Sequence, residues 1–336
     1  MNSNPLPGPI LVTGGTGFLA GHTILQLLAA DRPVRTTVRS EARGAELRAK
    51  LAAEGADVAR LDIAVADLMQ ESGWGQAMAG VEAVLHMATP MQGDDVEAAA
   101  LDGTRRVLEA AAQAGVRRIV FTSTGLAASK PATPPLDGVV TEQDWTDVSR
   151  KTVGTYARAK TAAEQFAWKF TTDHDMALTT ILPGAILGPP AGTGSSAWSL
   201  LVGTMLAGKL KLVPPVSLHW VDARDLVTLH IAALDSPVAV GQRYIANGEQ
   251  LAVRDLAQIL RDDLGARAGR VSTTELPAWI MRFLALFSAQ VKSAVPLLDD
   301  KAKLSAQKAF DDFGWSPRPT KDTLRDVAEY ELAKTT

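Results

Sequence analysis

Short apolar runs alternate with longer stretches whose apolar positions recur every three or four residues, and this alternation governs the first half of the chain. PILVTG (9–14) is a brief apolar run ending in glycines, which predicts a buried strand. FLAGHTILQLLAA (18–30) follows as a helix with Phe18, Ile24, Leu25, Leu27 and Leu28 on its apolar face, and Pro33 ends it. VRTTV (34–38), rich in β-branched residues, predicts a second strand. DVARLDI (57–63), GVEAVLHMA (80–88) and RRIVFTS (117–123) predict the third, fourth and fifth. Helical stretches lie between them, and the alanine-rich 94–114 has high helix propensity. A long helix over 154–171 leads into another apolar strand, ALTTILP (177–183). Strands alternating with helices at this spacing predict βαβ units and an α/β fold with a parallel, doubly wound sheet.

After Pro183 the pattern changes. Residues 184–218 are rich in Gly, Pro and Ser, with an apolar helix over 198–207. SLHWVDARDLVTLHIAAL (217–234) reads as a strand entering a helix, RYIA (243–246) as a short strand, and PAWIMRFLALF (277–287) as an apolar helix. The division expected is a dinucleotide-binding domain over 1–183 with returns to its sheet at about 217–246. A smaller, mostly helical substrate lobe is expected from 184–216 and 247–336. The length of 336 residues suits one large or two modest domains at ~150 residues each.

Composition removes several function classes. A net charge of −3 offers no basic footprint for nucleic acid or an anionic membrane. There are no cysteines, so disulfides, thiolate metal sites and cysteine nucleophiles are excluded. His22, His86, His174, His219 and His230 never pair at the spacing of a helical zinc site, so no metal is expected. The start, MNSNPLPGP, lacks the charged and apolar regions of a secretion signal. The uncharged run 176–208 is interrupted by Pro183, Pro189, Pro190 and glycines, which leaves no membrane-spanning segment. The expectation is a cytoplasmic globule acting on a small molecule, as a monomer or homodimer.

Four features carry chemistry. The turn T13-G14-G15-T16-G17-F18-L19-A20 joins the first strand to the first helix. Glycines there let backbone approach a pyrophosphate seated on the free amides of the helix, though a tight strand-to-helix turn also uses them. The third glycine of the usual pattern is Ala20, with Gly21 next. The end of the second strand reads V38-R39-S40, with no acidic residue before Glu41. An arginine there accommodates the 2′-phosphate of NADP, whereas an acid would accept from the NAD ribose; the alternative is a solvated surface arginine. In Y156-A-R-A-K160 the phenol and ammonium share one helix face. A cation beside a phenol favours the phenolate, so Tyr156 is expected to have a lowered pKa and to donate a proton to a carbonyl. Such a pair otherwise marks a solvated helix face. F121-T-S-T-G125 ends the fifth strand at the same crevice, where a hydroxyl can bond a substrate oxygen or simply cap a turn.

These motifs resemble an extended short-chain dehydrogenase/reductase of the dihydroflavonol 4-reductase and cinnamoyl-CoA reductase group. The resemblance runs through VTGGTGFLAGH (12–22), ADL (66–68), HMATPM (86–91), DGTRRVLEAA (102–111), RRIVFTST (117–124), TEQDW (141–145), YARAKTAAE (156–164), LPGAILGP (182–189), HWVDARD (219–225) and FGWSPRP (313–319). It implies a Rossmann fold and NADP(H)-dependent carbonyl reduction. Tyr156 and Lys160 match the catalytic pair, Lys160 also holding the nicotinamide ribose, and Thr124 matches the third catalytic position. Gly14, Thr16, Gly17, Phe18 and Leu19 match the pyrophosphate turn, and Arg39 the 2′-phosphate contact. Asp67 and Leu68 match the adenine contact, Met87, Ala88 and Thr89 the segment lining the cofactor, and Pro183 the turn beside the nicotinamide. Glu46 stands where the group often has a second basic residue, with Arg35 and Arg43 nearby. G154-T-Y-A-R158 departs from the cinnamoyl-CoA reductase sequence, and Ser129 stands in place of the flavonoid-contacting asparagine, so neither named substrate is implied.

A nucleotide-sugar epimerase or dehydratase shares the Tyr–Lys pair, but Gly125 and Leu126 follow Thr124 where dehydratases carry Asp-Glu. A 3β-hydroxysteroid dehydrogenase-like enzyme and a non-catalytic NADP-binding sensor are the other readings. Ile186, Leu187, Trp198, Leu201, Met205, Trp279, Met281 and Phe283 suggest an apolar cavity focused on Thr124 and Tyr156, although any one of them could be lobe core.

Overall fold

A computed structural model describes residues 8–89 and 96–334. The chain begins with β1 (Ile10–Val12), α1 (Phe18–Ala29), β2 (Val34–Val38), α2 (Glu41–Ala53), β3 (Leu61–Val65), α3 (Trp74–Met78) and β4 (Ala83–His86). It continues through α4 (Val96–Gln113), β5 (Arg118–Thr122), β6 (Val139–Val140), α5 (Thr155–Asp173), β7 (Ala177–Pro183) and β8 (Ala185–Leu187). Next come α6 (Ala197–Leu206), β9 (Ser217–Asp222), α7 (Ala223–Asp235), β10 (Gln242–Ala246), β11 (Gln250–Ala252) and α8 (Val253–Leu264). The last elements are α9 (Ala278–Leu284), α10 (Ala289–Ala294), β12 (Lys303–Leu304), α11 (Gln307–Phe313) and α12 (Thr320–Ala333).

Seven strands form one parallel sheet in the order β3-β2-β1-β4-β5-β7-β10. Successive strand residues point to opposite faces, and each face has its own helices. Ile10 and Val12 of β1 pack with Ile24 and Leu27 of α1 and with Leu226 and Val227 of α7. Leu11 of β1, with Val84 and Phe121, packs against Val107 and Leu108 of α4 and Ala163 and Ala167 of α5. The strand order reverses between β1 and β4, which opens a crevice at their carboxyl ends. This is the doubly wound fold expected. A third core gathers Val202 and Met205 of α6, Leu256 and Leu260 of α8, and Leu324 and Val327 of α12 around Trp220.

Differences from the sequence expectation have local causes. Residues Val58–Arg60 form a 3-10 turn, because the Asp57 carboxylate accepts from the Ala59 amide at 3.0 Å and caps it. The third strand therefore starts at Leu61. Of the 217–246 stretch, β10 joins the main sheet, whereas β9 pairs with β8 and β11 in a separate three-stranded sheet. Pro90, Met91 and the first residues expected of the 94–114 helix lie outside the described residues. No helix among the described residues is long and apolar enough to cross a membrane.

Two enclosed histidines hold the sheet, His230 tying α7 to β5 and His86 joining the ends of β4 and β1. His230 of α7 donates from Nδ1 to the Leu226 carbonyl (2.8 Å) and accepts the Thr122 hydroxyl at Nε2 (2.9 Å), and burial pulls its pKa down to about 4. Burial pulls His86, at the end of β4, down to about 3. Both stay neutral in the fold but protonate near pH ~6.5 in the unfolded chain, so the unfolded state binds more protons between about pH 6.5 and 4. Stability is therefore lost as pH falls through that window. Urea unfolding measured from pH 7 to 5 should show uptake approaching two protons from these residues, and His230→Gln should remove about one of them. A wild-type stability that does not change over this range would contradict the assignment.

Candidate active site

At the end of β1 the backbone turns sharply. Gly14 sits at φ +72°, and a side chain there would meet the Ala88 Cβ at 2.9 Å. A Cβ on Gly15 would lie 2.3 Å from the Thr36 hydroxyl oxygen. The amides of Gly14 and Gly15 donate to the Thr37 hydroxyl (2.9 Å) and carbonyl (2.8 Å), and that of Gly17 to the Gly14 carbonyl (2.8 Å). The first amides of α1 remain. Gly17 caps this helix without a side-chain bond, and no acidic residue stands in its first turn, so the positive end of the helix dipole is not neutralised. Thr16 and Phe18 are half-buried beside the exposed Gly17, while Leu19 and Ala20 turn into the core. The loop after β8 runs alongside. The His22 ring bonds the Pro189 carbonyl at 2.9 Å, and a Cβ on Gly194 would be 2.4 Å from the Phe18 amide nitrogen.

Thr13 organises the next strand end. Its hydroxyl oxygen accepts the amides of Met87 and Ala88, both at 3.0 Å, and lies 2.9 Å from His86 Nδ1. With two donors already aimed at the oxygen, the hydroxyl proton goes to His86 Nδ1, which fixes the neutral Nε2–H tautomer. One buried hydroxyl thus sets the course of Met87, Ala88 and Thr89 along the crevice. The sequence motif places Thr13 only in the turn, and nothing local to it signals the contacts with His86, Met87 and Ala88.

At the end of β2, Arg39 and Arg43 are exposed, and neither guanidinium has a partner among the described residues. Arg35 is committed elsewhere: it pairs with Asp62 at 2.6 Å and donates to the Ala79 carbonyl at 2.6 Å. Asp67 is half-buried, its carboxylate accepting the Met69 amide (3.0 Å), and Leu68 packs against Gly103 of α4.

The remaining residues meet where α5 crosses the ends of β5 and β7. Lys160 is 3% exposed. Its ammonium donates to the Thr122 carbonyl (2.7 Å) and the Thr89 hydroxyl (3.1 Å) and stands 4.6 Å from the Phe121 ring centroid. Burial lowers its pKa to about 8, opposed by the negative charge of Glu164. One turn earlier, Tyr156 is 37% exposed overall, yet enclosure of its hydroxyl raises its pKa, opposed by a hydrogen bond with Thr124. The lowering of the phenol expected from Lys160 is corrected: the shift is upward and led by desolvation, while the Lys160 ammonium is turned to the Thr122 carbonyl and the Thr89 hydroxyl, and the phenol stays protonated at neutral pH. Thr124 is buried and accepts the Leu126 amide at 3.4 Å, and Pro183 ends β7 beside it.

The structure thus brings Thr124, Tyr156, Lys160, Thr89 and Pro183 to one end of the sheet, with the glycine turn and the two free arginines on the neighbouring strands. Residues 10–247 match the NAD dependent epimerase/dehydratase family. The chain belongs to that family. Within it the chain stands with the extended reductases. It is 33% identical over 267 residues to cinnamoyl-CoA reductase 1 of Oryza sativa subsp. japonica, covering 78% of this chain and 77% of that one. It is 32% identical over 273 residues to dihydroflavonol 4-reductase of Zea mays, covering 76% and 74%. The crystal structure of Gre2 from Candida albicans in complex with NADPH superposes with a TM-score of 0.77 and 26% identity, over 98% of this chain and all of that one. The family and these relatives make the chain an NAD(P)-dependent oxidoreductase.

The apolar cavity expected in the lobe is built differently. Leu187 and Met205 are buried in its core, joined by Leu201 and by Trp198, which meets Trp220 edge-on. Ile186 packs on the main core, and Met281 is buried. Trp279 and Phe283 point outward, 70% and 55% exposed. A cavity of about 670 Å³ lies instead among Ala285, Leu286, Phe287, Val295 and Pro296, rimmed by Arg282, Ser288 and Lys292. It adjoins α5, because the Pro296 ring packs against Gly154, two residues before Tyr156. Ser129 donates to Asp300 at 3.0 Å and so joins the lobe to the loop after β5.

Replacing Thr13 by Val should orphan the Met87 and Ala88 amides and cost roughly 1–3 kcal/mol of stability. Denaturant unfolding checks this, and dinucleotide titration should show a weaker, not abolished, affinity. A fully stable variant would remove Thr13 from this role.

Proposed function

We propose that the protein is an NADPH-dependent reductase of an apolar, aromatic or alicyclic ketone or aldehyde, with Tyr156 as proton donor. The observation that carries this reading is the arrangement of the Tyr156 phenol, hydrogen-bonded to Thr124 and one helical turn from the buried Lys160 ammonium, at the carboxyl end of a dinucleotide-type sheet. NADPH supplies the hydride when bound. Gly14, Thr16, Gly17, Phe18 and Leu19 would carry its pyrophosphate, since Gly14 and Gly15 have no room for a side chain and the helix end is uncapped. Arg39 would take the 2′-phosphate, Asp67 and Leu68 the adenine, and Met87, Ala88, Thr89 and Pro183 the nicotinamide side.

In this scheme Thr124 and Tyr156 hold the substrate oxygen by hydrogen bonds. Tyr156 gives its proton to that oxygen as negative charge develops there. The resulting phenolate is held by the Thr124 hydroxyl and the Lys160 ammonium, whose charge persists to about pH 8. The reading of a sugar-nucleotide dehydratase gains no support at this site, because Gly125 and Leu126 form the turn after Thr124 and offer no acid–base side chain. The cavity of Ala285, Leu286, Phe287, Val295 and Pro296, whose Pro296 packs on Gly154, supports an aryl or alicyclic body over a sugar by its mostly apolar lining.

Tyr156→Phe should lower turnover roughly 10²- to 10⁴-fold while NADPH still binds. Fluorescence titration and NADPH consumption over a panel of aryl carbonyls and sugar nucleotides would measure both, and a variant keeping most of its turnover would overturn the mechanism. Arg39→Ala should raise KM for NADPH and leave that for NADH nearly unchanged. A charge-assisted bond contributes roughly 1.5–3 kcal/mol, which is about ten- to a hundredfold in cofactor preference, toward the low end here because Glu46 adds no second cation. Equal losses for both cofactors would make Arg39 only a surface charge.

A further inference from the structure

One buried carboxylate near the site has no part in the proposed chemistry. Glu164 follows Lys160 by one helical turn and Tyr156 by two, and its side chain is wholly enclosed. Oε2 accepts the Ser123 hydroxyl at 2.6 Å, and Oε1 accepts the Thr180 hydroxyl at 2.7 Å and Arg243 Nε at 2.9 Å. Arg243 Nη2 and Trp168 Nε1 approach the same carboxylate at 3.4 Å. The donors come from the end of β5, from β7, from β10 and from α5 itself. Arg243 is held in turn by the TEQDW segment, donating from Nη1 to the Glu142 (2.6 Å) and Asp144 (2.7 Å) carbonyls while its guanidinium lies 3.7 Å from the Trp145 ring centroid.

We propose that Glu164, clamped by Arg243, is the positioning residue of the catalytic set, locking α5 to the strand that carries Thr124 and keeping a negative charge beneath Lys160. The inference rests on the reading of Tyr156, Lys160 and Thr124 given above. Two observations separate it from an ordinary core ion pair. Ser123, which bonds the carboxylate, is the chain neighbour of Thr124, so the bond fixes the strand end that presents that hydroxyl to Tyr156. The Thr122 carbonyl and Thr89 hydroxyl bond the ammonium, and among the charged side chains near it Glu164 is the one whose charge opposes loss of its proton. Tyr156 on the same helix face and His86 from β4 are neutral, Phe121 from β5 presents a ring, and Arg243 from β10 is turned to the carboxylate. A pair serving packing alone could be replaced by apolar residues of similar volume without harm.

Glu164→Gln retains the shape and removes the charge. In either orientation its amide nitrogen meets an N–H of Arg243, which leaves a buried cation unpaired, so this variant is examined together with Glu164→Gln/Arg243→Met, where both charges are gone. Both should reduce aryl carbonyls at least about tenfold more slowly than wild type, with a smaller change in KM for NADPH. In both, the alkaline limb of the rate profile should move to lower pH by half a unit or more. The Lys160 ¹³Cε resonance, assigned with Lys160→Met, should titrate correspondingly lower in the cofactor-free protein. A folded double variant whose Lys160 titration and alkaline limb match wild type overturns the proposal and leaves Glu164 a packing residue. If wild type reduces no carbonyl while the Lys160 titration still shifts in both variants, the electrostatic role of Glu164 stands and the reductase reading fails.

Discussion

Lys160 carries an ammonium into a place where 3% of the residue reaches solvent, and the geometry of the site follows from how that charge is accommodated. A buried cation needs acceptors held in place. The Thr122 carbonyl at the end of β5 and the Thr89 hydroxyl after β4 supply them, so α5 has one position on the sheet. Tyr156, one turn earlier on the same face, is then delivered to Thr124. Burial of the phenol keeps its proton on, the state a donor to a carbonyl requires. Desolvation disfavours the charged form of both groups, raising the phenol and lowering the ammonium. The Thr122 and Thr89 oxygens and the Glu164 carboxylate offset it at Lys160, so a neutral phenol stands one turn from a cation.

The chain's first half was legible because its signals are local. Apolar runs of strand length, the glycine turn and the helix bearing Tyr156 and Lys160 all lie where their residues predict, and the sheet order follows from parallel βαβ units. The misread positions depended on contacts distant in sequence. Asp57 caps a 3-10 turn where β-propensity suggested strand. β9 has the apolar character of a buried strand, yet it pairs with β8 and β11, since its partner is chosen by the lobe's packing around Trp220. The phenol's raised pKa could not be read from the spacing of Tyr156 and Lys160, because spacing shows a nearby charge and is silent about enclosure.

The same limit applies to the buried polar residues. Thr13, His86, Ser123 and Arg243 are ordinary letters in the sequence, and their value lies in partners that the fold brings to them. Glu164 acquires Arg243 across 79 positions, and the TEQDW segment matters as the wall against which that arginine rests. In the lobe, helical spacing alone did not distinguish Met281, which is buried, from Trp279 and Phe283, which face outward on the same short helix. Beside that helix lies an open cavity whose wall includes Pro296, which packs on Gly154 just before α5.

In the reaction proposed for this site, a bound nicotinamide would supply hydride to a carbonyl carbon while the chain supplies the proton. The most direct measurement is reduction of an aryl ketone or aldehyde with NADPH deuterated on the transferring face of the nicotinamide. One deuterium is expected at the carbinol carbon of the product and none exchanged into water, with the hydroxyl proton drawn from the protein and solvent. Recovery of unlabelled carbonyl substrate, alongside an epimerised or dehydrated sugar nucleotide and unchanged cofactor, would contradict it.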